Sequence, residues 1–526
     1  MKRPVFLFHA RALLAALPLL TLLFVIASDV SVSAGENEWL VPLAPPPKAT
    51  PQRMSGGEAV PPLPLPATPL RRSEHKREPS PQKIMAKIMW GETADFKHEG
   101  GLSASVSDWN QAPADVQQIL GKVRGPLMTP YTADAMNLSA FNGDPVQIPL
   151  LFFSGSRTIK FDDKQIELLR NYVMRGGVIF ADAVIGSPHF YESFKTAMER
   201  AFPEQAWRTV PEDHPVYHMV TDVTTVKYPR NLKSDRPLLE AMYIFSRLGV
   251  VVSKYGLGCG WDNREPWLTE ELKSKAIYYD PESASKIGMN FMAYIVGYAN
   301  VARESAKPEL FGTVDEKRPT DEFVFAQIKH EGAWNAHAGG AAALLQRLRR
   351  DTSVKVSLKR VPVAPGKDDL SNFTFLYLTG LDDFKFDAAA VASLRNFLNA
   401  GGTLLVNNGL GLRTFDEAVR RELKAVLPGS DLKVVPGDHP LFSAVHKIKE
   451  PQYTTAVQRL TPNRKLIDEK VPHLEGITLN GDLKVIYSPF DLEAGWQGME
   501  HPLAKAYEPE GAMQLGMNIV MYSVTH

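Results

Sequence analysis

Residues 109–218 recur almost without a gap 225 positions further along the chain, and no other feature constrains the fold as strongly. LLFFSGSRTIKFDDKQIELLRNYVMRGGVIFADAVIG aligns with FLYLTGLDDFKFDAAAVASLRNFLNAGGTLLVNNGLG, so that Gly155 falls on Gly380, Arg170 on Arg395 and Gly176-Gly177 on Gly401-Gly402. The same register carries Trp109 onto Trp334 and Asp213-His214-Pro215 onto Asp438-His439-Pro440. It resumes at slightly different offsets with Gly260-Trp261 on Gly495-Trp496 and Gly288-Met289-Asn290 on Gly516-Met517-Asn518. A period this long means two whole domains rather than solenoid units, whose repeats run to about 20–50 residues. The duplication also serves as an alignment inside one chain, separating polar residues that both copies carry from those that only one does.

Lys+Arg and Asp+Glu balance at 59 each, so no global field draws the chain to nucleic acid. The single cysteine, Cys259, excludes an intrachain disulfide and thiolate zinc or iron–sulfur sites. Lys2-Arg3, an apolar run from Ala12 to Ala27 and the small residues Val32-Ser33-Ala34 read as an export signal, either cleaved or kept as a membrane tether. The body of the chain is then expected outside the cytoplasm of a bacterium. From Pro42 to Pro81 proline is frequent and apolar periodicity is missing, the composition of a semi-rigid tether. The expected organisation is a signal peptide or anchor over 1–34 and a disordered proline-rich linker over 35–82. A first repeat over 83–305, an inter-domain linker over 306–322 and a second repeat over 323–526 follow.

Within each repeat the pattern is strand, helix, strand, helix. Ile148–Phe153 and Phe373–Leu378 are short apolar runs of the kind expected of strands covered on both faces. Asp162 and Asp387 stand where they can cap the following helices, in which Ile166, Leu169 and Val173, or Val391, Leu394 and Leu398, repeat at helical spacing. The glycine pairs 176–177 and 401–402 end those helices, and second apolar strands begin at Val178 and Thr403. Alternation of this kind predicts parallel crossovers and a doubly wound sheet, whose ligands sit at the carboxyl ends of the strands. The residues expected there are Ser154-Gly155, Asp182-Ala183 and Asp213-His214, with Thr379-Gly380, Asn407-Asn408 and Asp438-His439 as counterparts. Leu483–Ser488 delivers Asp491 to the same edge, where the first copy has Gly256.

RGGVIFAD, then DHPVY or DHPLF, then YSPFDLEAGW, and finally GMNIVMYSVTH together resemble a bacterial family, domain of unknown function 4159, in two tandem copies covering nearly all of 84–300 and 320–526. The resemblance implies α/β architecture of the flavodoxin-like type, similar to class I glutamine amidotransferases, in members that are exported or membrane-attached. In such folds a cysteine nucleophile sits in a sharp turn after the strand that follows the paired glycine. The matching positions are Ala183 and Asn408, and neither residue can attack a carbonyl.

Asp182 is the sharpest single candidate, as a base, a metal ligand or a helix cap; Asn407 replaces it in the second copy and retains only the capping role. Asp491 occurs only in the second copy. His214 and His218 have the spacing of a zinc pair on a helix, but Pro215 follows His214 directly and Ser443 replaces His218, which favours a turn. His189, opposite Thr414, has the same weakness. Cys259, opposite Ala494, reads as a packed thiol, and the shared tryptophans read as core or interface. KHEG occurs at Lys97–Gly100 and Lys329–Gly332, but out of the repeat's register. The expected function is an exported, non-catalytic binding or scaffold protein of the cell envelope, without a cofactor. Its partner, a protein or an envelope ligand, would meet Ser154, Gly155, Asp182, His214, Thr379, Asn407, His439 and Asp491, or the cleft between the domains. The alternative is a metal-assisted or acid–base hydrolase using Asp182, Asp213 and His214 of the first domain.

Overall fold

The computed structural model describes residues 35–45, 83–97, 103–127, 131–307, 309–448, 450–461 and 470–526. The expected signal segment (1–34) and most of the proline-rich stretch (46–82) lie outside the described residues, as do 98–100 of the first KHEG string.

Each repeat folds around a seven-stranded sheet. In the first, β1 (Lys83–Met89), β2 (Tyr131–Asn137), β3 (Leu150–Gly155), β4 (Val178–Ala183), β5 (Arg208–Thr209), β6 (Glu240–Ile244) and β7 (Arg247–Ser253) lie in the order β2-β1-β3-β4-β7-β6-β5. In the second, β8 (Ala326–Ile328), β9 (Val361–Val363), β10 (Phe375–Gly380), β11 (Thr403–Asn408), β12 (Lys433–Val434), β13 (Glu475–Leu479) and β14 (Asp482–Ser488) repeat it as β9-β8-β10-β11-β14-β13-β12. Helices cover both faces. Phe152 and Phe180 point to one apolar layer and Phe153 and Ile179 to the other, the alternation a strand imposes.

The sheets are mixed rather than wholly parallel. β6 runs antiparallel to both its neighbours, as β13 does in the second domain. The cause is local: two residues join β6 to β7 and Asn480-Gly481 joins β13 to β14. Loops that short close only antiparallel pairs. Phe245, Asn480 and Gly481 supply the positive φ such turns need (56°, 53° and 98°).

The capping aspartates act as their positions suggest. Asp162 Oδ1 accepts the Gln165 amide at 2.8 Å while Gln165 Oε1 accepts the Asp162 amide at 3.0 Å, and Asp387 Oδ1 accepts the Ala390 amide at 2.7 Å. The paired glycines divide their work. Gly176 and Gly401 carry φ of +110° and +98°, whereas a Cβ on Gly177 or Gly402 would lie 2.2 Å from the Tyr172 ring or 2.3 Å from the Phe397 ring.

The domains stack head to tail. Leu381, Leu410, Leu412, Ala494, Ala504 and Ala506, at the carboxyl edge of the second sheet, share an apolar cluster with Tyr294 and Tyr298 of the first domain. Tyr294 Oη accepts the Leu248 amide at the amino end of β7, and Tyr298 Oη donates to Pro502 O at 3.0 Å. The amino end of the first sheet therefore sits on the carboxyl edge of the second. Arg208–Asp382 (2.9 Å), Arg459–Asp222 (2.9 Å) and Asp213, which accepts from the Arg413 amide (2.9 Å) and Lys505 Nζ (3.2 Å), complete the junction.

The first sheet's carboxyl edge is covered by a part of the stretch expected to be a disordered linker. Trp39, Leu40 and Val41 are buried, Trp39 and Val41 against Val184, Ile185, Cys259, Leu272 and Tyr278. The Ala44 amide donates to Glu265 O and the Trp267 amide to Pro42 O. The linker reading fails over this segment because an apolar triplet immediately precedes the prolines and finds an apolar edge to cover. Among the described residues no helix is long and apolar enough to cross a membrane.

Because the ring beneath each second glycine is fixed in the core, Gly177→Ala and Gly402→Ala are each expected to destabilise the protein by about 2 kcal/mol through overpacking. Chemical denaturation followed by circular dichroism measures this, and a loss below the ~0.5 kcal/mol of an ordinary surface change would mean that the rings give way.

Candidate functional site

The strand ends of both sheets converge on polar centres that fill the same volume with different residues. In the first domain Asp182, at the end of β4, accepts the Leu257 amide at Oδ1 and the Gly258 amide at Oδ2, each at 2.8 Å. It does not cap the helix Pro188–Ala201, whose N-cap is Ser187. Lys87 of β1 donates to Asp115 Oδ2 at 2.7 Å and to Ala112 O at 2.8 Å, and all of these side chains are buried. Burial pushes the Asp182 carboxyl up to about 7 against its two amide hydrogen bonds, and holds Asp115 above the usual carboxylate range against the pull of Lys87. Ser154 Oγ, beside Asp182 in the strand register, is buried without a hydrogen-bond partner. Gly155 lies under Trp90, whose ring a Cβ would meet at 2.2 Å, so its smallness serves packing.

In the second domain Asn407 occupies the place of Asp182. Its Oδ1 accepts the Leu492 amide at 2.7 Å, as Asp182 accepts that of Leu257, and its Nδ2 donates to Asp491 Oδ1 at 2.9 Å and Thr379 Oγ1 at 3.2 Å. Asp491 also accepts the amides of Leu410 (2.7 Å) and Glu493 (2.9 Å) and meets His337 Nε2 at 2.6 Å. Burial opposes charge on both partners, but each outweighs it for the other: His337 lies above the usual histidine range and Asp491 well below the usual carboxylate range. Glu493 accepts the Tyr377 hydroxyl at 2.9 Å, and burial pushes its carboxyl up to about 7. The His501 ring lies 4.9 Å from that of His337, and burial lowers it to about 3. His337 Nδ1, His501 Nδ1 and Glu493 Oε1 are buried without a hydrogen-bond partner.

The two centres are related by coupled exchanges. Asp115 faces Gly258 in the first domain, whose Cβ would lie 3.4 Å from Asp115 Oδ2; Gly340 faces Glu493 in the second, where a Cβ on Gly340 would lie 2.5 Å from Glu493 Cγ. The Gly256-to-Asp491 and Ala112-to-His337 differences form a second pair. Lys87, which pairs with Phe152, becomes Gln327, which pairs with Tyr377. Lys87, Asp115, His337 and Glu493 escaped the sequence reading because their partners lie far along the chain. The signal that could have found them is the set of four positions where the copies disagree in charge, taken together.

The Asp-His-Pro turns belong elsewhere. His214 Nδ1 accepts the Val216 amide at 3.1 Å and its ring packs 5.7 Å from Tyr294, toward the amino end of the sheet. Ser253, the partner of Asp182, lies five residues beyond Leu248 on β7, roughly 16 Å of strand. Asp213 faces the second domain. The structure therefore does not bring Asp182, Asp213 and His214 into one site. His439 caps its own turn in the same way, accepting the Leu441 amide at 3.2 Å beside Tyr522. His218 is held by Asp222 and Glu212 O, and His189 stands by Trp39 and Glu36. Among the described residues no cluster of three or more His, Cys, Asp or Glu is arranged to hold a metal ion.

The His337–Asp491 contact leaves Nδ1 of the imidazole without a hydrogen-bond partner on a ring that the carboxylate biases toward its protonated form, with Glu493 able to exchange a proton near neutrality; this is the chemistry of an acid–base pair. Both centres are covered, however, one by the first domain and the other by residues 36–44. An open recess of 680 Å³ lies between the domains instead, lined by Arg208, Tyr243, Phe245, His330, Trp334 and Asp383. His330, of the second KHEG string, sits there with Nε2 2.8 Å from Thr379 O, and burial lowers it to about 4.

Two outcomes follow from this burial. A carboxyl whose folded pKa is raised costs stability as pH climbs from its unfolded value, near 4.5, through its folded value, about 7 for Glu493. Glu493→Gln removes that cost, so its stability relative to the parent should rise by about 3 kcal/mol between pH 5 and pH 8 in urea titrations; a pH-independent difference would contradict the assignment. Cys259 is 1% exposed beneath Trp39, and burial raises its thiol far above the ordinary range. It should resist a thiol reagent in the folded parent and react about tenfold or more faster in Trp39→Ala, because local opening controls its exposure.

A family model described as a domain of unknown function, DUF4159, matches residues 97–296 and again residues 324–524. Comparison with curated proteins finds no match. The two matches together cover more than half of the chain and take in all of the second sheet and all of the first but β1, so the chain belongs to the DUF4159 family as a tandem pair of its domains.

Proposed function

We propose that the protein is an exported, non-catalytic scaffold of the bacterial cell envelope, built from two degenerate domains of the flavodoxin-like, class I glutamine amidotransferase-like type. Support for the superfamily reading comes from the run β2-β1-β3-β4-β7 in the first sheet and its repetition in the second. Further support comes from the turn after β4 and β11. Ile185 and Leu410, two residues beyond Ala183 and Asn408, hold φ of 51° and 54° there, a conformation costly for a β-branched or bulky residue, and none of these four side chains is an acyl-transfer nucleophile.

The observation that carries the scaffold reading is the sealing of both carboxyl edges. Asp182 spends its oxygens on backbone amides, Asp491 on amides, Asn407 and His337, and both are fully buried. A partner protein or envelope ligand then meets the outer surface or the recess between the domains, and the amino-terminal segment tethers the assembly to the membrane. The contact between His337 and Asp491 favours a second reading, an acid–base activity of the second domain alone.

Complementation separates the two. In a strain lacking the gene, Asp182→Asn and His337→Gln variants of the full chain should restore the parental phenotype within about twofold and capture the same partners from detergent-solubilised envelopes. Loss of the phenotype by a folded His337→Gln protein that still captures those partners would instead assign chemistry to the second centre, since removal of a catalytic base costs about 10²-fold or more.

A further inference from the structure

At the start of the helix Asp115–Leu127 in the first domain, the Ala114 amide donates to Asp262 Oδ2 at 3.0 Å, and Arg264 pairs with the same carboxylate at 2.8 Å. The repeat sets Gly339 opposite Ala114 and Gln497 opposite Asp262, so the second domain has lost its resident carboxylate. The vacated role is filled from the inter-domain linker. Glu309 Oε1 accepts the Gly339 amide, and Glu309 Oε2 accepts from Arg360. Arg360 is 4% exposed and is fixed by Gln327 Oε1 at 2.5 Å and Asn335 Oδ1 at 2.9 Å. The helix behind it, Gly340–Asp351, has twelve residues and begins at Gly339 with φ +77° and no side-chain cap. Glu493 Oε1, buried and without a partner, points at the same first turn, 3.3 Å from where a Cβ on Gly340 would stand. Beside the seat opens a cavity of 510 Å³ lined by Leu310, Ala342, Leu358 and Gln497 as well as by Glu309 and Arg360. Leu310 is 75% exposed at its mouth.

We propose that Arg360 and the Gly339 amide form a binding seat for an aliphatic carboxylate, which Glu309 occupies as a tethered stand-in. A free acid or a chain end bearing a carboxylate displaces Glu309, places its apolar group in the adjoining cavity and frees the linker between the domains. A buried guanidinium must keep an anionic partner, and a helix N-terminus and a planar guanidinium are both suited to a carboxylate. Exchange of one carboxylate for another preserves every one of these interactions, and only the tether favours Glu309. A tethered competitor acts at an effective concentration in the mM range, so the seat is masked from weak ligands in the intact chain.

Titration calorimetry of the full-length chain with N-acetylleucine tests this. Glu309→Ala should bind the acid about tenfold or more tightly than the parent, should not bind N-acetylleucine amide, and should lose the gain in Glu309→Ala/Arg360→Gln. Binding of an acetylated tetrapeptide ending in leucine, weaker or tighter than the single residue, supports the seat and separates chain ends from small acids. A Glu309→Ala protein of parental melting temperature that binds the acid no better than the parent, or that binds acid and amide alike, overturns the proposal. The gain of binding cannot be mimicked by misfolding.

Discussion

A carboxylate placed at the end of a central strand, out of reach of water, has to be met by hydrogen-bond donors, and the structure turns on how that requirement is satisfied. In the first domain the donors are the amides of Leu257 and Gly258, aimed at Asp182. In the second the carboxylate belongs to Asp491, and the loop amides reach it with Asn407 and His337. The loop after the seventh strand is thereby tied to the fourth in both domains. An unpaired charge at this depth would cost several kcal/mol, so a substitution at these positions is tolerated only where it leaves no buried charge without a hydrogen-bond partner. The observed differences come in compensating sets: Glu493 stands for Gly258 where Gly340 stands for Asp115, and Asp491 and His337 arrive together as partners in place of Gly256 and Ala112. This explains why Asp182 and Asp491 looked like unrelated, isolated residues when the copies were compared position by position. They perform one task from two places.

Much of the fold was legible in the chain. The glycine pairs, the capping aspartates and the apolar strands fall within about two residues of their observed places, because each is set by local backbone chemistry. The edge residues Ser154, Asp182, Thr379, Asn407 and Asp491 were legible for the same reason, since they directly follow or end parallel strands. Asp213 and His214 were misplaced because β5 is only two residues long and the chain turns back from it, so that His214 packs on Tyr243 and Tyr294; the sheet was separately assumed to be wholly parallel. The Asn480-Gly481 dipeptide, the strongest short signal for a tight hairpin, marks the departure from that assumption. What the chain could not reveal was the partnership of residues such as His337 and Asp491, which are 154 positions apart. Long-range hydrogen bonds leave no periodicity behind them.

The covered edges have different origins. Over the second sheet lies a whole domain, joined by an apolar cluster and by several ion pairs and hydrogen bonds. Over the first lies a segment of about ten residues, anchored by Trp39, Leu40 and Val41 and by the hydrogen bonds of Pro42, Ala44, Glu36 and Asn37. Ordering a residue costs about 1–2 kcal/mol, and burying an apolar side chain returns about 2 kcal/mol. For a segment with so few buried side chains the ordering cost exceeds the apolar return and the cover leans on its hydrogen bonds, whereas the domain junction orders no additional chain.

Local opening draws on the weakest contacts first. The segment over the first edge therefore opens at a lower free energy than the junction over the second, and the Asp182 centre becomes accessible before the His337–Asp491 centre does. That ordering runs against the distribution of chemistry. Each centre holds a carboxyl raised to about 7, but the imidazole lies beneath the more durable cover, while the centre that opens more readily holds a carboxyl already committed to two amides. A fold evolved for turnover would place its acid–base pair under the cover that moves. The opposite placement fits the proposed scaffold: the centre that holds an imidazole is held at the domain junction, and the cover that opens first lies over a carboxyl already committed to two amides.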